Sequence, residues 1–134
     1  MEFEKYTERA RGFIQNAQTL ALKSNHQQLT PLHLLKVILE DREGLGTSLI
    51  DAAGGQSAKA YEAVGAALHK LPKVEGGGAG QVYLAPETAR LLDQAEQSAE
   101  KAGDSFVTVE YLLLALAMAS GTEAQKVLGD AGVK

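Results

Sequence analysis

Apolar residues recur at helical spacing along almost the whole chain. Phe3, Tyr6, Ala10, Phe13, Ile14, Ala17, Leu20 and Ala21 form one stripe, which predicts a helix of roughly five turns. Ser24-Asn25 and the polar stretch to Gln28 end it. Thr30-Pro31 then opens a second helix, to about Glu40: Thr suits the cap, and Pro suits the next position, where its missing N–H costs nothing. Gly44 and Gly46 break the pattern. A short third helix, about Thr47 to Ala53, stops at Gly54-Gly55. Ser57 caps a fourth, carrying Tyr61, Val64, Leu68 and Leu71 at 3, 4, 3 spacing before Pro72 ends it.

Pro72 to Ala85, with four glycines among residues 76–80, reads as a flexible connector. It does not read as a phosphate-cradling loop, because no Lys-Ser/Thr follows and no buried strand precedes it. Pro86 opens a helix with Leu91, Leu92, Ala95, Ala99 and Ala102 inward, and Gly103 stops it. Thr108 caps another, whose apolar residues, Val109 and Tyr111 to Ala119, run nearly all the way round. Such a helix is expected to be central and buried on every side. A last short helix, about Thr122 to Ala131, ends at Gly132.

The two halves superimpose in sequence at one constant offset of 78 residues, without a gap. Ala17 meets Ala95, Ala21 meets Ala99, Lys23 meets Lys101 and Thr30 meets Thr108. Leu34-Leu35 meets Leu112-Leu113, and Ala53-Gly54 meets Ala131-Gly132. The matches fall on caps, core positions and stops. The expected fold is therefore all-α: one domain over residues 1–134, with repeat one at about 1–71, the connector at 72–85 and repeat two at 86–134. The counterpart of the fourth helix would lie after residue 134, so the second unit lacks its last helix. Thr30-Pro31-Leu32-His33 also spells the start of an ankyrin repeat, but no copies at a period of about 33 residues follow.

Composition narrows the function. With no Cys, disulfides, thiolate metal sites and a Cys nucleophile are excluded. Residues 1–70 carry 8 basic and 8 acidic side chains, whereas residues 71–134 carry 5 and 9, so the net charge of −4 sits in the second half. No basic cluster marks a nucleic-acid face. No apolar run reaches the roughly 18 residues of a membrane span, and no leader is apparent; a cytoplasmic location is the default expectation. His26 reads as a loop residue, His33 as cap-proximal and His69 as a helix-end cation, with no metal spacing among them. Glu87, Asp93, Glu96 and Glu100 read as a solvated helix face rather than paired acid and base. No catalytic, cofactor or metal site is expected.

Thr30-Pro31-Leu32-His33-Leu34-Leu35, the junction Leu71-Pro72-Lys73-Val74-Glu75-Gly76-Gly77, and Gly103 to Glu110 together resemble the amino-terminal repeat domain of Clp-family AAA+ chaperones. The junction is most similar to the ClpB type, the disaggregases. The resemblance covers essentially the whole chain. It implies a non-catalytic domain that captures unfolded or aggregated polypeptide in a groove between the repeats. A hexameric parent would then thread the captured segment using ATP and Mg, with adaptors or a cooperating chaperone acting through that parent. With no heptad seam or long sheet edge in the sequence, the isolated domain is expected to be monomeric. Carried onto this chain, Thr7 falls at the start of the first helix, Leu92 and Tyr111 on the apolar floor, and Asp104 and Glu110 on an acidic rim. The alternative is an adaptor-docking domain of a ClpA or ClpC type unfoldase that feeds a protease.

Overall fold

The computed structural model describes residues 3–74 and 81–133. Seven α-helices are present among them: α1 (Glu8–Lys23), α2 (Pro31–Glu40), α3 (Leu45–Ala52), α4 (Ser57–His69), α5 (Pro86–Lys101), α6 (Val109–Met118) and α7 (Glu123–Asp130). Two short strands, β1 (Gln28–Leu29) and β2 (Tyr83–Leu84), pair in parallel.

The repeat holds residue by residue. Adding 78 to the bounds of α1, α2 and α3 gives the bounds of α5, α6 and α7. The contacts between the halves exchange in the same way. Tyr6 bridges to Val107, and their counterparts by the offset, Leu84 and Leu29, are also paired. The Thr7 N–H donates to the Val107 carbonyl at 3.0 Å, and the Ala85 N–H donates to the Leu29 carbonyl at 3.2 Å. Reciprocal exchange of this kind is what a pseudo-two-fold axis produces. Near that axis the turns after α3 and α7 meet, the Gln56 N–H donating to the Ala131 carbonyl at 2.8 Å. Gly132 has φ +96°, and a Cβ there would sit 3.1 Å from the Gly54 carbonyl oxygen, so the close approach and the left-handed backbone both require glycine.

The bridge through Tyr6 also moves the first helix boundary. Residues Phe3–Lys5 form a 3₁₀ turn and Tyr6 is taken into the bridge, so α1 starts at Glu8 rather than Phe3. Thr7 caps it, its Oγ1 accepting the Ala10 N–H at 3.1 Å. The α3 helix begins at Leu45, two residues before the expected start, and Gly46 lies inside it because a side chain there would strike Ile38. The α4 helix ends at His69, with Leu71 beyond it. Its first turn is tied back by Asp51, whose carboxylate accepts from the Ser57 N–H and hydroxyl. Ala102 is exposed rather than inward, because it is already the cap residue of α5.

The connector is tied at both ends. The Val74 N–H donates to the Asn25 carbonyl at 2.7 Å, and Tyr83–Leu84 pairs with β1. The glycines at 76–80 lie outside the described residues.

The core is a single cluster of small and aliphatic side chains shared by both repeats, with Leu35, Ile38, Leu92, Leu112, Leu116 and Leu128 all but sealed from solvent. Burying each such leucine is worth about 1.5–3 kcal/mol. The α6 helix departs from expectation. Val109, Leu112, Leu113, Ala115 and Leu116 are buried, but Leu114 is 46% and Met118 55% exposed. One side of this nearly all-apolar helix is open.

Candidate functional site

Leu114, on that open side, belongs to the floor of a cleft of about 440 Å³. Leu49, Ile50 and Ala53 line it from the α3 side, Leu113, Leu114 and Ala117 from α6, and Leu128 and Val133 from the C-terminal end. Asp104, Glu110 and Tyr111 stand at its edge. Because α3 belongs to repeat one and α6 to repeat two, the cleft lies between the repeats.

The rim is organised by the turn into α6. Gly103, at φ +78°, lets the chain reverse after α5, and the Asp104 N–H is held by the Ala99 carbonyl at 2.9 Å. The Tyr111 hydroxyl donates to the Asp104 carboxylate. That bond, with some burial and the nearby carboxylates, raises the pKa of the phenol, so Tyr111 remains a neutral donor. Its ring can pack against an apolar ligand while its hydroxyl stays at the wet edge. Glu110 lies in the first turn of α6, where the helix dipole favours a negative charge. The arrangement is an aliphatic floor with a carboxylate edge. It offers no paired acid and base, and no group of three or more His, Cys, Asp or Glu able to hold a metal is present among the described residues.

Of the five residues expected at the site, Asp104, Glu110 and Tyr111 come together here. Thr7 and Leu92 do not line this cleft. Thr7 is the cap of α1, and Leu92, 2% exposed, is core. Leu92 instead offers its carbonyl to the Tyr6 hydroxyl at 3.5 Å, while the same hydroxyl donates to Glu96 at 2.6 Å. Burial foremost, then the bond to Glu96, raises the Tyr6 pKa. Glu96 is therefore a partly buried hydrogen-bond acceptor and not simply part of a solvated face. The residues that sequence reasoning missed are Leu114 and Ala117, together with the α3 wall. An all-apolar α6 gave no sign of which side would be left open.

The equivalent place in repeat one is closed. Subtracting 78 converts Asp104 and Tyr111 into His26 and His33, and these two are also hydrogen-bonded, Nδ1 to Nε2 at 2.8 Å. His26 is 6% exposed and His33 fully buried, so His26 is not an open loop residue. Burial, then the neighbouring imidazole, lowers the His33 pKa to about 4; burial, then Lys73 and His69, lowers that of His26. The cover is α4, which packs on α2 and α7. Exchanging the repeats would seat an equivalent helix on α6 and α3, across the cleft. Among the described residues no helix occupies that seat.

Comparison with known proteins agrees with this architecture. The family model described as the Clp repeat (R) N-terminal domain matches residues 5–131. The chain is 62% identical over 133 residues to the chaperone protein ClpB of Rhodopseudomonas palustris and 55% identical over 133 residues to that of Rhizobium meliloti. Each match covers 99% of this chain and 15% of the relative, so the chain spans only a small part of their length. The Hsp104 N-terminal domain from Candida albicans shares the fold at a TM-score of 0.83 and 23% identity, over 97% of this chain and 83% of that one. No helix among the described residues is long and apolar enough to cross a membrane. The reciprocal helical repeat and these matches together show that the chain belongs to the Clp repeat N-terminal domain family, in its ClpB-type chaperone branch.

Proposed function

We propose that the chain is the polypeptide-capture domain of a ClpB-type disaggregase, and that the cleft between α3 and α6 is its capture surface. The observation that carries this reading is the open apolar side of α6, with Leu114 about half exposed in the same cleft as the carboxylates of Asp104 and Glu110. A floor of this kind takes apolar side chains, and its rim favours Lys or Arg beside them. A shallow site orders a disordered segment at an entropic cost, so each domain binds weakly. Several copies on one hexameric ring raise the effective concentration without new contacts. ATP, Mg and the threading work belong to the rest of the parent, in the cytoplasm, and adaptors or a cooperating chaperone would act through it. Capture of unfolded chains is preferred to adaptor docking for a ClpA or ClpC type unfoldase, because the chain matches ClpB chaperones at 62% and 55% identity.

The test is a titration of the isotope-labelled chain with a permanently unfolded protein, followed through backbone amides. The expected result is a set of shifts clustered on Asp104, Tyr111, Leu114, Ala117 and Leu49, weakened by added salt. Shifts absent at millimolar ligand, or confined to the opposite face around α1, would overturn the assignment of this cleft.

A further inference from the structure

The closed counterpart of the cleft is not filled completely. A pocket of about 240 Å³ remains, lined by Leu20, Ser24, His26, Lys36, Gly65, Leu68, His69 and Lys73. None of these residues is acidic, and four can carry or donate a proton-borne charge. Lys36 comes from α2, His69 from the end of α4, and Lys73 from the segment after it. That segment is held in place by the bond from the Val74 N–H to the Asn25 carbonyl at 2.7 Å. Lys36 lies over the Tyr61 ring at 3.9 Å and 4.0 Å from Glu40, so it is already partly satisfied. Lys73 has no ion pair among the described residues.

The hydrogen-bond pattern fixes what His26 presents. The Thr30 N–H donates to His33 Nδ1 at 3.0 Å, so in neutral His33 that nitrogen is the bare one and Nε2 carries the proton. His33 Nε2 therefore donates to His26 Nδ1, across 2.8 Å. This leaves the His26 proton on Nε2. That atom is buried and finds no hydrogen-bond partner among the described residues. The carbonyls on either side of it are already used: Asn25 accepts from the Val74 N–H and Gln27 from the Tyr83 N–H. A buried donor left without an acceptor costs about 1–3 kcal/mol, which makes this position a place where an external acceptor is rewarded.

We infer that this pocket binds a small oxyanion, with His26 Nε2–H as the buried donor, Lys73 supplying positive charge and the His69 imidazole a further polar group on the lining. The repeat offset sharpens the point, since the position that holds the Asp104 carboxylate in repeat two holds His26 in repeat one. Where one repeat carries a fixed negative group at the turn, the other presents an unsatisfied donor in a pocket lined by Lys36 and Lys73 and by no acidic residue. An anion there also lies in reach of the connector that leaves Lys73, so occupancy would brace the start of the segment joining the repeats.

The probe is inorganic phosphate, titrated at neutral pH into the labelled chain, with chloride at matched ionic strength as the control. The readout is the imidazole nitrogen and proton signals of His26. A saturable shift with phosphate and not with chloride is expected, and Lys73→Gln is expected to weaken it roughly tenfold. Lys73 is exposed, so this variant should keep the fold, and an unchanged Thr30 amide signal in it verifies that the His33 bond is intact. A response equal in chloride, a response untouched by Lys73→Gln, or no shift of His26 at all would overturn the proposal. Capture of polypeptide at the other cleft can fail or succeed independently of this result.

Discussion

The turns that lead into α2 and α6 share one backbone and have opposite surroundings. In both, the residue four before the cap threonine is joined by a side-chain hydrogen bond to the residue three after it: His26 to His33, Asp104 to Tyr111. Both turns reverse through a left-handed residue, Asn25 at φ 58° and Gly103 at φ 78°. The first pair is sealed under α4 and made of neutral imidazoles. The second is exposed and made of a carboxylate and a phenol. Lys36, under Tyr61 of α4, is replaced by Leu114, which faces the cleft. The repeat therefore conserves the frame, and whether a helix covers it among the described residues decides whether the same place is buried or open.

The largest expected effect tests the cover itself. Val64, fully buried on α4, changed to Asp would place an unpaired carboxylate in the core and should cost about 3–5 kcal/mol. The matched change in repeat two is Leu114→Lys, which installs the repeat-one residue at an exposed site. It should alter stability by no more than about 0.5 kcal/mol while weakening capture of cationic, apolar segments. Denaturant unfolding of both variants checks the contrast. If Leu114→Lys destabilised the fold as strongly as Val64→Asp, the cleft would be core and the comparison would fail.

A second effect comes from acid. His33 is held neutral, with its pKa lowered to about 4 from an ordinary 6.5. The unfolded chain thus binds a proton at a pH where the native state does not. Stability is fully present above pH 6.5, falls as pH drops towards about 4, and levels off below it. The loss should be roughly 2–3 kcal/mol, allowing for relaxation of the site. Protonation of Nδ1 also removes the acceptor of the Thr30 N–H, so α2 should fray first. His33→Gln keeps an acceptor at the cap and cannot titrate, so the fall in stability across that window should be smaller than in the parent chain, with only the His26 contribution left at this pair. Thermal melts at several pH values decide this.

How much of this was legible in the sequence follows from the same contrast. The helices, their caps at Thr30 and Thr108, the stops at Gly54, Gly103 and Gly132, and the 78-residue offset are local signals, carried by apolar spacing and backbone chemistry, and the structure shows them. Asp104, Glu110 and Tyr111 were placed at the groove by family resemblance, and the structure brings them to one rim. Leu92 was not separable from a surface leucine, because one apolar position on a helix stripe resembles another until a partner packs on it. The exposure of Leu114 was hidden for the converse reason: it depends on no helix packing over α6 among the described residues. The burial of His26 depends on α4 and the Lys73 segment, both distant in sequence.

The smallest expected effect isolates the rim. Tyr111→Phe removes the hydroxyl that donates to Asp104 and leaves the ring in place. Because the bond is exposed, the melting temperature should stay within error of the parent chain. The Asp104 carboxylate would then be free to pair fully with an incoming Lys or Arg. Affinity for a cationic, apolar peptide should accordingly rise, by up to about threefold at low salt, with the gain erased as salt screens the charge. The matched change in repeat one, His33→Phe, has the opposite character. It strips the Thr30 N–H of its acceptor and His26 of its donor inside the core, and it should lower the melting temperature clearly. Peptide titration and thermal melts on the pair separate the two roles of one position. A Tyr111→Phe chain that melted early would mean that the Asp104 bond is part of the fold's stability, and that the rim is less free to recognise ligands than its exposure implies.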